Sequence, residues 1–310
     1  MQKALNTLQA GQIAYLRGGT YDQNLFLSRA GTATDPITIA NYPGEHVVLG
    51  PGTGQSDNMP LQIGNGAAYV RFHGLTFEGA TGASTTNVYA DGNAHDIELS
   101  ACEITGSARQ GFFSEASTSS IQIIGCNIHD NGGSGPTHLD HNVYMQGTRH
   151  VIVNSRIANA PNGSDLQIYP SSDGVIIADN TIVGAMLDGI IAGSDGGGTT
   201  SDLTLANNVV AFNGRYGIST WWDGAEGTGN LATRNVVWGN VTGQMDGTGM
   251  AWVDDTVADP LFVDLGLGNL HLLIGSPAID TAKEEYSTPD DLDGAHRPQG
   301  LGPDVGAYER

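Results

Sequence analysis

Within the stretch HDNGGSGPTHLDHN, residues 129–142, lie His129, Asp130, His138, Asp140 and His141. Imidazoles exchange a proton near neutral pH, and carboxylates either move protons or bind hard cations such as Ca²⁺. Asn142 and Tyr144 follow directly, then Asp165, Gln167, Tyr169, Asp188, Arg215 and the pair Trp221–Trp222. That set holds the materials for general acid–base work on a bound molecule: His138 or His141 with Tyr144 to move protons, Arg215 to neutralise an anion. Gln167 and Tyr169 would position it, and tryptophan would offer a ring face. A lysine base is excluded, because only Lys3 and Lys283 occur, one near each end. The same residue types also close turns through their own side chains. Asp165 therefore reads equally as a turn cap, Asp188 before Gly189 as turn chemistry, and Arg215 as a bridge to Asp188.

Composition narrows the partners. The chain has 310 residues, 33 acidic against 12 basic, and a formal charge of -21. Phosphate binding needs a basic face, so a nucleic-acid partner is not expected, nor is an anionic membrane surface. No run approaches the roughly 20 apolar residues of a spanning helix. The first residues lack a charged stretch leading into an apolar core, so no signal peptide is expected within the sequence. Apolar content of 39% is that of a folded chain, large enough for a substantial core.

What positions the candidate residues is a repeat. One motif reads IELSACEI at 97–104, IQIIGCNI at 121–128, HVIVNSRI at 150–157, VIIADNTI at 175–182 and LTLANNVV at 203–210. The closing apolar residues, at 104, 128, 157, 182 and 210, are spaced 24, 29, 25 and 28 apart by subtraction. Period-two alternation rich in Val and Ile predicts short strands. Units of about 25 residues with Gly/Asn turns predict stacked coils of an all-β, right-handed parallel β-helix. The leucine spacing and helical segments of a leucine-rich repeat are missing. The reading is one domain over 1–310: a helical N-terminal cap over 1–15 (helix Gln2–Leu8), coils over 16–280 with 259–280 as the last, and an irregular cap over 281–310. Asp290, Asp291, Asp293 and Asp304 in that cap read as a structural tie, with or without calcium.

Aligning the coils stacks Cys102, Cys126, Ser155, Asn180 and Asn208 in one column, an inward ladder in which the cysteines are small stacked residues or a disulfide. A second strand per coil gives two further columns. Asn87, Gly111, Asn142, Asp165, Gly189 and Gly217 form one; Tyr89, Phe113, Tyr144, Gln167, Ile191 and Ser219 form the next. Both are expected to point outward. The connection before Asn142 takes 14 residues against seven or eight in four other coils, an insertion of the kind that builds a binding wall on a solenoid. A polar centre beside aromatic platforms suits a sugar chain.

LRGGTYDQNLFLSRAGTATDPITIANYPGEHVVL at 16–49, the coil motifs, and GSPAIDTA with DLDGAHRPQGLGPDVGAYE near the end resemble bacterial right-handed β-helix repeat proteins of the pectate-lyase-like superfamily. The resemblance covers nearly the whole chain and is specific to architecture. It implies a secreted or surface-located protein that meets polysaccharide, most often as a lyase, sometimes as a glycoside hydrolase or uronan epimerase. In the lyase reading, Asp140, Asn142 and Asp165 hold a Ca²⁺ or the substrate, which also offsets the repulsion between this acidic chain and a polyuronide. In the hydrolase reading, two of Asp140, Asp165 and Asp188 flank the scissile bond of a neutral glycan. A third reading is a non-catalytic carbohydrate-binding scaffold. A monomer is expected in each.

Overall fold

In the computed structural model, which describes residues 1–54, 58–82, 85–133 and 138–310, nine successive coils each contribute one strand to each of three parallel sheets, and a tenth strand extends the first. The first sheet has ten strands, from Ile13–Leu16 to Ala251–Val253. The second has nine, from Gly19–Asp22 to Val236–Trp238, and the third nine, from Leu25–Leu27 to Gly243–Asp246. Inward residues such as Ile97, Leu99, Ile104, Phe112 and Val143 are fully buried and stack on their counterparts one coil away.

The corner between the first and second sheets takes two residues. Its first residue is left-handed: Gly74, Ala101, Gly125, Asn154, Asp179, Asn207, Arg234 and Asp254 all have φ between 50° and 65°, a region where Gly, Asn and Asp are enriched. Its second residue is the inward ladder expected from sequence. Cys126, Ser155, Asn180 and Asn208 each donate their N–H to the side chain of the next rung, at 2.9–3.0 Å, and Asn235 and Asp255 extend the column. Cys102 and Cys126 are buried free thiols.

Both ends differ from expectation in detail. The helix Gln2–Thr7 sits where a cap was expected, and it covers the edge strand Leu25–Leu27 chemically. The Gln2 side chain accepts from the Phe26 N–H at 2.7 Å and donates to the Phe26 carbonyl at 2.7 Å, as a neighbouring strand would. Residues 259–280 are not a coil. Phe262–Asp264 and Asn269–Leu272 pair antiparallel, and the chain from there to Tyr308 lies along the outer face of the second sheet. Leu270, Leu272, Ala278, Val305 and Ala307 pack on Ala158, Val183, Val209, Ala211 and Val236. Bonds from Thr288 N to Asp179, Lys283 N to Asn207 and Ala307 N to Thr181 tie it across successive coils. The reason is polarity. Outward positions of this sheet are Glu103, Thr105, Asn127 and His129 in earlier coils, then turn apolar from Ala158 onward and need cover. The terminal aspartates act as ties among themselves: Asp291 accepts from the N–H groups of Asp293, Ala295 and Glu309, and Asp304 from those of Asp280 and Arg310.

Candidate functional site

The outer face of the third sheet carries the column Gln62, Tyr89, Phe113, Tyr144, Gln167, Ile191, Ser219 and Asp246, joined strand to strand. The aligned column from Tyr89 to Ser219 is therefore correct, and outward. Tyr89, Phe113 and Tyr144 stack along it with ring centroids 5.5 and 4.9 Å apart. Beyond them opens a cleft of about 300 Å³ whose lining includes His138, Gln167, Arg215, Ser219, Trp221 and Asp246. His138, Gln167, Arg215 and Trp221, far apart in sequence, thus meet at one place. Ser219 was expected only as a member of the column, and Asp246 was not singled out beforehand. Carrying the column one coil past Ser219 into GQMD would have reached Asp246.

The neighbouring column is not outward. Asn142 and Asp165 are fully buried, because the chain is still turning one residue ahead of the strand and the side chain folds under the turn. Asn87 donates to Asn131, Asn131 to Asn142 and Asn142 to Asp165, at 3.2, 2.9 and 2.7 Å. A parallel run links Asn213 to Asn240 at 2.8 Å. Where the column residue is Gly111, Gly189 or Gly217, an amide from the turn of the next coil (Asn131, Asn213 or Asn240) fills the space a Cβ would need. These groups satisfy turn backbone; they do not face a ligand.

That geometry removes the expected calcium ligands and the expected carboxylate pair. Asp140 is buried and pairs with Arg109 at 2.9 Å. Asn142 donates to the Ala158 carbonyl and to Asp165. Asp165 Oδ1 accepts from Asn142 and from the Ala160 N–H, which leaves a single unmatched oxygen, Oδ2. One spare oxygen does not make the six to eight that Ca²⁺ takes, so these residues do not fit that ion. Asp188 is buried as well. It accepts from Arg215 through Nε at 2.7 Å and through Nη2, from the Tyr216 N–H at 3.0 Å and from Ser219 at 2.9 Å. It serves as the anchor of Arg215, a bridge the sequence allowed, and not as a substrate contact.

His141, expected as a base, is sealed in. Its Nδ1 accepts from the Ser164 N–H at 3.0 Å, which places the proton on a buried, unpartnered Nε2. Burial lowers its pKa to about 4, so it is neutral at physiological pH. Its ring meets Tyr144 edge-on at 5.7 Å, and burial raises the Tyr144 hydroxyl to about 12. His138, by contrast, is exposed at the mouth of the cleft. Trp221 is 54% exposed and stacks on Tyr169 at 5.9 Å, so Tyr169 backs the platform. Trp222 is no platform: its indole N–H donates to the Thr248 carbonyl at 2.8 Å and its ring packs against Gly249.

The floor is electrically quiet. Asp140 and Asp188 each carry an arginine partner, and burial pushes Asp165 well above the usual carboxylate range. Among the described lining residues, Asp246 is the one carboxylate open to the cleft.

By sequence, the family described as right handed beta helix region matches residues 61–249. No curated protein matches the chain. Solved structures with a similar fold include the pectate lyase Pel9A, at 14% identity and TM-score 0.69, covering 99% of this chain and 90% of that one. An alginate lyase from Paenibacillus sp. strain FPU-7 is 18% identical with TM-score 0.60, over 83% and 92% of the two chains. The periplasmic alginate epimerase AlgG is 9% identical with TM-score 0.57, over 81% and 61%. At these identities the likeness is one of fold. Among the described residues, no helix is long and apolar enough to cross a membrane.

Proposed function

Since the chain belongs to the right-handed β-helix family, we propose that it is a polysaccharide lyase that cleaves a uronic-acid-containing glycan by β-elimination in the third-sheet cleft. The observation that carries this reading is the inventory of the cleft: one guanidinium, one exposed imidazole and one open carboxylate. Elimination needs a cation for the uronate carboxylate and a base for the C5 proton. Hydrolysis needs two facing carboxylates. Two of the similar folds are lyases by name, one of pectate and one of alginate, which is support by analogy.

Asp188 holds Arg215 by Nε and Nη2, so the remaining edge of the guanidinium is presented to the uronate already oriented. His138 takes the C5 proton, the C4–O bond breaks as the C4–C5 double bond forms, and the departing oxygen receives a proton. Tyr144, whose hydroxyl holds its proton to about pH 12 and which pairs in register with Gln167 at the cleft, is the donor. His141 orients that ring from below. Trp221, backed by Tyr169, stacks on an adjoining sugar. No step runs through calcium. The matched charges of the floor lower the repulsion expected from a chain of charge -21. Action outside the cytoplasm, where such polymers occur, belongs to the same proposal.

The test is a panel of alginate, pectate, glycosaminoglycans and neutral glucans and galactans, each with and without EDTA. Ultraviolet absorbance of the 4,5-unsaturated uronate and reducing ends are followed together. Both should rise on one uronan, with or without EDTA, and His138→Ala should cut the rate by about 10²–10⁴-fold. Reducing ends without the absorbance would overturn elimination in favour of hydrolysis. Silence across the panel would favour the scaffold reading.

A further inference from the structure

The outer face of the first sheet, away from the cleft, carries a second concavity near the N-terminal end. It measures about 450 Å³ and is lined by Ile13, Tyr15, Thr38, Ala40, Asn41 and His73, among others. Its shape follows from the strand register: Tyr15 pairs with Ala40 and Ala40 with His73, so three consecutive outward positions read large, small, large. Two strand spacings, roughly 9.6 Å, separate the strands that carry Tyr15 and His73. A flat ring placed over Ala40 would lie ~4.8 Å from each wall, inside the 4.5–7 Å range of ring stacking.

The walls are braced. Tyr15, 56% exposed, meets Tyr42 edge-on at 6.4 Å. Tyr42 carries the Arg17 guanidinium 5.0 Å over its ring, and Glu45 holds that arginine at 2.6 Å. On the other side, exposed His73 bonds Ser100 Oγ through Nδ1 at 3.1 Å. Asn41 spends its Nδ2 on the Glu45 carbonyl at 3.0 Å and keeps Oδ1. Thr38, two residues before Ala40 on the same strand, also lines the slot. Nearby charges are matched, Arg17 by Glu45 and Arg71 by Glu98, so nothing here selects an anion. A narrow slot between two rings, with hydroxyl-scale donors and acceptors at its base, is the chemistry that recognises a pyranose ring.

We propose that this slot is a second carbohydrate-binding site, taking one sugar unit of a polysaccharide between Tyr15 and His73 over Ala40. It holds whichever reaction the cleft performs. Binding there would keep the solenoid on a polymer while the cleft releases product, which is multivalency without a separate binding domain.

The experiment is affinity electrophoresis through gels containing β-glucan, galactan, mannan, alginate or pectate, in a Trp221→Ala background that weakens the cleft. At least one polymer should retard this protein. Tyr15→Ala, which removes one wall, and Ala40→Phe, which fills the slot while keeping both walls, should each weaken retardation about tenfold. Thermal unfolding followed by circular dichroism keeps the comparison to folded protein. Retardation unchanged by both substitutions would overturn the proposal, as would retardation by none of the five polymers.

Discussion

Asp165→Asn should make the protein more stable, and the gain should grow with pH. Asp165 occupies a rung that is an amide at 87, 131 and 142, and it is fully buried. Its Oδ1 does the work of an asparagine oxygen, accepting from Asn142 at 2.7 Å and Ala160 N at 3.1 Å. Its Oδ2 stands where an amide nitrogen would stand and has no partner. In the rungs that are amides, that nitrogen donates to the last carbonyl of the next second-sheet strand, Thr105 for Asn87 and Ala158 for Asn142, both at 2.7 Å. The counterpart for position 165 is Val183, so only a protonated acid or an amide fits the rung. Burial raises the folded pKa well above the ordinary value, so this group favours folding fully below the unfolded pKa of about 3.9. That contribution is lost as pH rises toward the folded pKa, at up to about 1.4 kcal/mol per pH unit. Asparagine carries no such loss. Urea unfolding at pH 4, 6 and 8 should show near-equal midpoints at pH 4 and a lead for the variant that widens by pH 6. At about 2.1 cal/mol/K of unfolding entropy per residue, a stability change of 1 kcal/mol corresponds to a melting shift of about 1.5 °C in a chain of 310 residues. A variant less stable at pH 8, or a gap that does not change with pH, would refute an un-ionised acid in the rung.

Asp246→Asn separates the two reaction classes: a lyase should keep its turnover and bind an anionic glycan more tightly, whereas a hydrolase using that carboxylate should lose activity, and initial rates on the active polymer decide. Trp221→Ala should raise KM several-fold with a smaller change in kcat, since it removes a stacking face worth about 0.5–1.5 kcal/mol; a fall in kcat alone would contradict the platform role. His141 and His150 are buried neutral, with pKa values lowered to about 4 by burial. Their contribution to stability is whole above about pH 6.5 and is lost as pH falls through 4, so His150→Gln should flatten the acid side of a plot of urea midpoint against pH.

The solenoid was legible because its determinants are local and repeat: alternation within six residues, a left-handed corner, and a small or amide side chain after it. The column arithmetic placed Tyr144, Gln167 and Ser219 in one column correctly, since parallel pairing preserves register from coil to coil at these positions, and the shift in the Tyr144–Gln167 pairing comes only after Met145. Facing was harder. Alternation predicts that residue 142 points opposite to 143, and so outward, but the rule holds only inside a strand, and Asn142 belongs to the turn. The flank covered by the C-terminal segment could have been read. Second-sheet strands Glu103–Thr105 and Asn127–His129 alternate polar and apolar, whereas Thr181–Val183 and Val209–Ala211 are buried throughout, and a strand apolar on both faces needs cover on both. His138 could not be separated from His141 by type or spacing. Only the packing of Ser164 over His141 distinguishes them.

In a stacked fold, the neighbours one coil away decide what an aspartate is. Asp140, Asp165 and Asp188 looked alike along the chain, and all three are buried, yet their vertical contacts assign two different parts. Asp165 sits below an amide and becomes a rung. Asp140 and Asp188 sit within reach of arginines on neighbouring coils, Arg109 and Arg215, and become anchors. Of the two arginines, Arg215 also lines the cleft. A buried carboxylate that fixes an arginine costs desolvation energy which the ion pair alone seldom returns in stability. Holding the guanidinium in one orientation for a ligand gives that arrangement a use that stability does not. Removing Asp188 should therefore cost more than a surface ion pair in stability, and should cost activity even where the protein stays folded, because Arg215 would keep its charge and lose its aim. Asp188→Asn, which retains hydrogen bonds and loses the charge, should restore part of the activity that Asp188→Ala loses; equal activity in the two variants would mean that orientation is set elsewhere.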